Sequence, residues 1–113
     1  VAVNLSADAV AMRADLATAW TLDLPAADEG AQARAQALQD QAGMLLQQMH
    51  QGLMVLTLTK EGRRQALYYV VDEALTRQTL APLLARPEAA DAEIKVSFDP
   101  AWSGYFEYAG YLA

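Results

Sequence analysis

The sequence predicts an α+β fold of the ferredoxin-like, split β-α-β kind: a mostly antiparallel sheet covered by two helices, with one extra strand at the N-terminus. Three observations carry this. Residues 53–71 read as a hairpin whose two strands are apolar on both faces. A long apolar stripe at helical spacing precedes the hairpin, and a capped second helix followed by a strictly alternating strand comes after it. In the hairpin, Val55, Thr57 and Thr59 alternate with Met54, Leu56 and Leu58, and Ala66, Tyr68 and Val70 alternate with Leu67, Tyr69 and Val71. A strand apolar on both faces is covered on both, so the hairpin belongs at the centre of the sheet. The turn at Lys60-Glu61-Gly62-Arg63 uses the freedom of Gly62 to take a positive φ.

The elements follow in order. Residues 1–5 read as a short strand for one edge of the sheet. Residues 6–15 suit helix and irregular structure about equally, with Ser6 placed to cap a short helix carrying Val10. Residues 18–24 are β-prone, with Trp20, Leu22 and Leu24 on one side and Thr21 and Asp23 on the other, and Pro25 ends the run. Ala31, Ala35, Leu38, Ala42, Leu45 and Met49 then step by four and three, widened by Leu46. Asp28 is a cap, Glu29 suits the first turn, and Gly52 is expected to take the left-handed closing position. A helix of about 22 residues would span about 33 Å.

After the hairpin, Asp72 caps a second helix with Glu73 in its first turn and Leu75, Leu80, Leu83 and Leu84 on its inner face. Pro82 predicts a kink, or a second short turn starting there, because it lacks an N–H and crowds the preceding turn. Arg86-Pro87 ends the element. Residues 92–98 alternate strictly, with Ile94, Val96 and Phe98 inward and Glu93, Lys95 and Ser97 outward, as in an edge or half-covered strand. Asp99-Pro100 starts a turn. The tail carries Trp102, Tyr105, Phe106, Tyr108 and Tyr111.

All of this fits a single α+β domain over residues 1–113. The chain begins with Val, so a longer protein around it stays open. The 14 acidic against 8 basic residues, a formal charge of −6, oppose nucleic-acid binding and favour a basic protein partner. There is no cysteine, so disulfides, thiolate zinc sites and cysteine nucleophiles are excluded. No signal peptide or membrane-length apolar run is visible, and the expected location is the cytoplasm.

Little here suggests catalysis. His50 is the only histidine and sits where a helix C-terminus would solvate it. The carboxylates are scattered, there is no glycine-rich phosphate loop, and the serines lack a nucleophile-elbow context. Neither cofactor nor metal is expected. Lys60, Arg63 and Arg64 form the only basic cluster, read either as a solvated turn or as an anion contact. The aromatic tail is read as cover for the sheet or, alternatively, as an exposed partner or ligand surface.

Two segments carry a family resemblance. The first is Thr59-Lys60-Glu61-Gly62-Arg63-Arg64 leading into Tyr68-Tyr69-Val70, and the second is Phe98-Asp99-Pro100-Ala101-Trp102 followed by Tyr105 and Phe106. Their order and spacing resemble the bacterial family known as domain of unknown function 695. That family is similar in turn to the regulator of ribonuclease activity B, an acidic inhibitor that binds ribonuclease E. The resemblance implies a ferredoxin-like α+β fold and brings no established catalytic residues to carry over. Two functions follow as expectations. One is a non-catalytic regulatory or protein-interaction module acting through an acidic surface, as monomer or homodimer. The other is a small-molecule-binding module using Arg64, Tyr68, Asp99, Trp102 and Tyr105.

Overall fold

The computed structural model describes residues 2–3 and 16–109; the expected helix around Ser6 and Val10, and the side chains of Tyr108 and Tyr111, lie outside the described residues. The elements are β1 (Ala2–Val3), β2 (Thr18–Pro25), α1 (Glu29–Gln48), β3 (Gly52–Lys60), β4 (Arg63–Val70), α2 (Glu73–Leu84), a 3₁₀ turn (Pro87–Ala89), β5 (Glu93–Phe98) and α3 (Ser103–Ala109). The strands form one sheet in the order β1-β3-β4-β2-β5, with every neighbouring pair antiparallel. From β2 onward this is the split β-α-β arrangement, and β1 adds to the β3 edge. The hairpin supplies the middle strand, β4.

Local chemistry explains the helix starts. Asp28 Oδ1 accepts from the Ala31 N–H at 2.7 Å, and Asp72 Oδ1 from the Leu75 N–H at 2.7 Å, so each helix has one of its orphan donors satisfied. The hairpin closes through Glu61 at φ 54° and Gly62 at φ 76°, both positive, opposite the Lys60↔Arg63 pair. This is the two-residue turn whose twist matches the flanking strands.

Four expectations are corrected. Gly52 does not close α1; His50 takes the left-handed conformation at φ 56°. Gly52 instead opens β3, where a Cβ would stand 2.6 Å from the Tyr69 carbonyl oxygen. α1 is 20 residues long and its buried face is Ala35, Leu38, Gln39, Ala42, Gly43 and Leu46, with Met49 exposed. The stripe is therefore rotated, because Gln39 is held inside by backbone acceptors that its spacing did not reveal. Of the two alternatives at Pro82, the second short turn is not found: α2 runs through Pro82 as one element, with the ring exposed, only Leu83 and Leu84 following, and the Ala85 N–H still reaching the Ala81 carbonyl at 3.0 Å. Phe98 lies at the open end of the edge strand, 79% exposed, while Ile94 and Val96 pack partly against the core.

Two cores result, one on each side of the sheet. Beneath α1 and α2 lie Trp20, Leu22, Leu24, Ala66, Tyr68 and Val70. On the opposite side, Leu16, Ala19, Val55, Leu56 and Tyr69 pack with Trp102 and Tyr105. The β3 alternation is broken by a register shift between Met54 and Leu56. Met54 pairs with Tyr68 on the helix side, whereas Leu56 pairs with Leu67 on the other. A bulge residue displaces every following side chain to the other face, so Leu56 and Leu58 join the α3 side.

Candidate functional site

α3 covers only one end of its face of the sheet. Trp102 anchors it: the ring is fully buried, stacks on Tyr69 with centroids 4.3 Å apart and planes 7° from parallel, and its Nε1 donates to the Leu16 carbonyl at 2.7 Å. Trp102 holds φ 56°, a conformation rare for a bulky residue and retained only where its surroundings fix it. Tyr105 packs edge-on against Trp102 at 5.7 Å.

Asp99 joins this lid to the sheet. Its carboxylate accepts from the Tyr69 hydroxyl at 2.6 Å, the Ser103 N–H at 2.9 Å and the Gly104 N–H at 3.1 Å. Burial alone would push the Asp99 carboxyl up. The hydrogen bonds from Tyr69, Gly104 and Ser103 outweigh it and hold the pKa below the ordinary carboxylate value. Burial, and then the Asp99 carboxylate that the phenol donates to, push the Tyr69 hydroxyl far above its usual pKa, so it stays a donor.

Beyond α3 the same face is uncovered by the described residues. Ala19, Thr21, Leu56, Leu58, Gln65, Leu67, Ser97, Asp99 and Gly104 line a groove of about 220 Å³. Its lining joins aliphatic side chains on β3 and β4 to hydroxyl, amide and carboxylate groups. At the far end lies Asp23, almost fully buried, bridged by Arg63 Nε at 2.6 Å and by the Gln65 amide at 3.1 Å. Arg63 also reaches the backbone carbonyls of Asp23 and Asp91 at 3.2 and 3.0 Å. The side-chain hydrogen bond to Asp23 raises the Arg63 pKa despite some desolvation. The basic turn residue is thus engaged with its own sheet, and Lys60 remains exposed beside it.

The structure separates the residues expected to share a site. Asp99, Trp102 and Tyr105 come together on the α3 side. Arg64 and Tyr68 point the other way, under α1: Arg64 Nε donates to Gln39 Oε1 at 2.8 Å and the Tyr68 hydroxyl to the Gln39 carbonyl at 2.7 Å. Burial pushes the Tyr68 hydroxyl well above its ordinary pKa, helped by Asp40 and opposed by Arg64. Tyr69 occupies the place beside Asp99 that Tyr68 was expected to fill. Its signal was present in the sequence, since adjacent strand residues face opposite ways, but nothing local says which of two neighbouring tyrosines meets the tail. Gln39 and Asp23, the two buried polar organisers, also went unnoticed. A lone polar residue within an apolar stripe is the only hint of the first. Trp102 and Tyr105 are sealed inside, which answers the question of the tail for these two rings: they cover the sheet, with Phe106 half-exposed on the outer side.

His50 is exposed beyond the end of α1, away from the groove hydroxyls. Among the described residues no group of three histidine, cysteine or carboxylate side chains stands where it could hold a metal ion. No helix among them is long and apolar enough to cross a membrane.

Comparison with known proteins places the chain in a family. Residues 1–109 match the family described as "Family of unknown function (DUF695)", and the chain belongs to it. No curated protein and no solved structure matches.

Proposed function

We propose that this member of the family is a non-catalytic regulatory domain that works by protein–protein contact, with the half of the α3 face that the described residues leave uncovered as its docking surface. The observation that carries the reading is the groove itself: Leu56, Leu58 and Leu67 on the β3–β4 side stand next to Thr21, Ser97 and Asp99 on the β2–β5 side, with Gln65 beside Leu58. Apolar area joined to hydrogen-bonding groups is the mixed composition of a non-obligate protein interface. At about 220 Å³ the groove is smaller than the roughly 300–1,000 Å³ of ordinary small-molecule sites. It suits one or two side chains of a macromolecule better than a whole metabolite.

The partner chemistry follows from charge. Asp28, Glu29, Glu61, Asp72, Glu73, Asp91, Glu93 and Glu107 are all exposed, and the net charge is −6. Such a field accelerates encounter with a basic surface, while the groove supplies the short-range contact. The resemblance to the regulator of ribonuclease activity B, drawn from the sequence motifs, adds ribonuclease machinery as a candidate target. Affinity capture from a lysate of the source organism, followed by quantitative mass spectrometry, tests the reading. A small set of specific, salt-sensitive basic partners is expected. Recovery of nothing above an unrelated acidic bait overturns it.

A further inference from the structure

Among the described residues nothing pairs with the outer edge of β5, which ends the sheet. Which backbone groups of that edge are free follows from one hydrogen bond. The Asp99 N–H donates to the Ala17 carbonyl at 2.7 Å, continuing the β2–β5 ladder of Thr18↔Phe98 and Ala19↔Ser97. In an antiparallel pair, bonded and non-bonded positions alternate. The odd residues Glu93, Lys95, Ser97 and Asp99 therefore bond to β2, and Ile94, Val96 and Phe98 turn their N–H and C=O groups outward. These same residues carry the apolar side chains of the strand, and Phe98 is 79% exposed. The edge holds no proline within Glu93–Phe98 and shows free groups and apolar surface on the same residues, the combination that natural edges otherwise avoid.

The geometry points to a second copy of this chain as the occupant, pairing β5 with β5 antiparallel about a two-fold axis through Val96. Only registers centred on an even residue use the free groups. Centring on Lys95 would reuse groups already bonded to β2 and set Lys95 against its own copy. Centring on Ile94 would pair Val96 and Phe98 with residues 92 and 90, outside the strand. Centring on Val96 pairs Val96 with itself and Ile94 with Phe98 twice. That gives three bonded pairs lying wholly within Glu93–Phe98 and covers the exposed ring with an aliphatic neighbour. On the opposite face Lys95 meets Ser97, and at each end Glu93 meets Asp99, a like-charge pair that weakens the dimer at low salt and is screened as salt rises. The two five-stranded sheets become one continuous sheet, and the interface is isologous, as a closed dimer requires. The interface adjoins the groove, which Ser97 and Asp99 also line, but it rests on the outward backbone groups of Ile94, Val96 and Phe98, so either proposal stands without the other.

The absence of cysteine makes the register directly measurable. Bonded antiparallel partners have Cα atoms about 5.5 Å apart, inside the range a disulfide bridges. Val96→Cys is expected to form a covalent dimer under mild oxidation. Phe98→Cys, although at a more exposed position, would sit about 14 Å from its own copy at ~3.4 Å per residue and should not cross-link. Sedimentation of the unmodified chain should show a concentration-dependent dimer. Phe98→Asp should weaken that dimer at least tenfold with an unchanged far-UV circular dichroism spectrum. A chain that stays monomeric up to several hundred micromolar overturns the proposal. A dimer indifferent to Phe98→Asp, or cross-linking at Phe98→Cys but not at Val96→Cys, overturns it as well. If Val96→Cys fails to fold, the Phe98→Asp sedimentation result decides.

Discussion

Replacing Tyr69 by Phe deletes one oxygen atom, and the structure says what that atom does. The Tyr69 hydroxyl donates to Asp99 Oδ2 at 2.6 Å and accepts from the Tyr105 N–H at 3.4 Å. The ring itself stays stacked on Trp102 in either variant. A hydrogen bond to a charged acceptor contributes roughly 1.5–3 kcal/mol. Because Asp99 is only partly buried, we take the low end and expect Tyr69→Phe to cost about 1.5 kcal/mol. Asp99→Ala removes the same bond and also the acceptor for the Ser103 and Gly104 N–H groups. A lost cap costs about 1 kcal/mol more, giving about 2.5 kcal/mol. The double variant should cost about 2.5 as well rather than the 4 that addition gives, a coupling of roughly 1–1.5 kcal/mol. Urea unfolding of the four proteins, followed by tryptophan fluorescence, measures it. Independent sites add within about 0.5 kcal/mol. Additivity within that margin would refute the claim that Tyr69 and Asp99 fasten the α3 lid as one unit.

Three other outcomes are expected. Gly52→Ala forces a Cβ to within 2.6 Å of the Tyr69 carbonyl oxygen and 2.8 Å of Val70 Cγ1. Because backbone cannot yield as a side chain does, about 2 kcal/mol or more of destabilisation should appear as a lower urea midpoint. The Asp99 carboxyl has a lowered folded-state pKa, so its contribution is fully present above the unfolded value of about 3.9 and is lost as pH falls through the folded value. Acid titration of stability should therefore be flatter for Asp99→Asn than for the parent below about pH 4. Trp20 and Trp102 are the only tryptophans and both are fully buried, so native fluorescence should be blue-shifted and resist acrylamide. Ready quenching of half the signal would mean that the α3 lid is open in solution.

Much of the fold was legible because its signals are local. Asp28 and Asp72 cap the helices they precede, Gly62 closes a two-residue turn, and the doubly apolar hairpin supplies the middle strand of a sheet with a core on each side. The errors share a cause, which is that they depend on register or tertiary partners. The bulge at Val55 reverses the faces of Leu56 and Leu58, and no residue type announces it. Gln39 is buried because the Leu22 and Arg64 carbonyls accept from its amide at 3.0 and 2.9 Å, acceptors that lie far away in sequence. Phe98 alternates like an inward residue but lies where the edge strand outruns the helices. The candidate site suffered most: Arg64, Tyr68, Asp99, Trp102 and Tyr105 looked like one cluster, but two of them belong to the other face of the sheet. Among the described residues the buried Trp20 Nε1 has no hydrogen-bond partner, and nothing in the structure explains it.

The docking face is tested most directly by capture with paired baits. Thr21→Lys with Leu58→Lys places two cations in the groove, while Met44→Asp alters an exposed position on the outer side of α1. With folding verified by circular dichroism, the account expects the groove variant to lose the specific partners of the parent and the α1 variant to retain them. Identical partner sets from all three baits would show that the groove beside α3 is not where this domain binds.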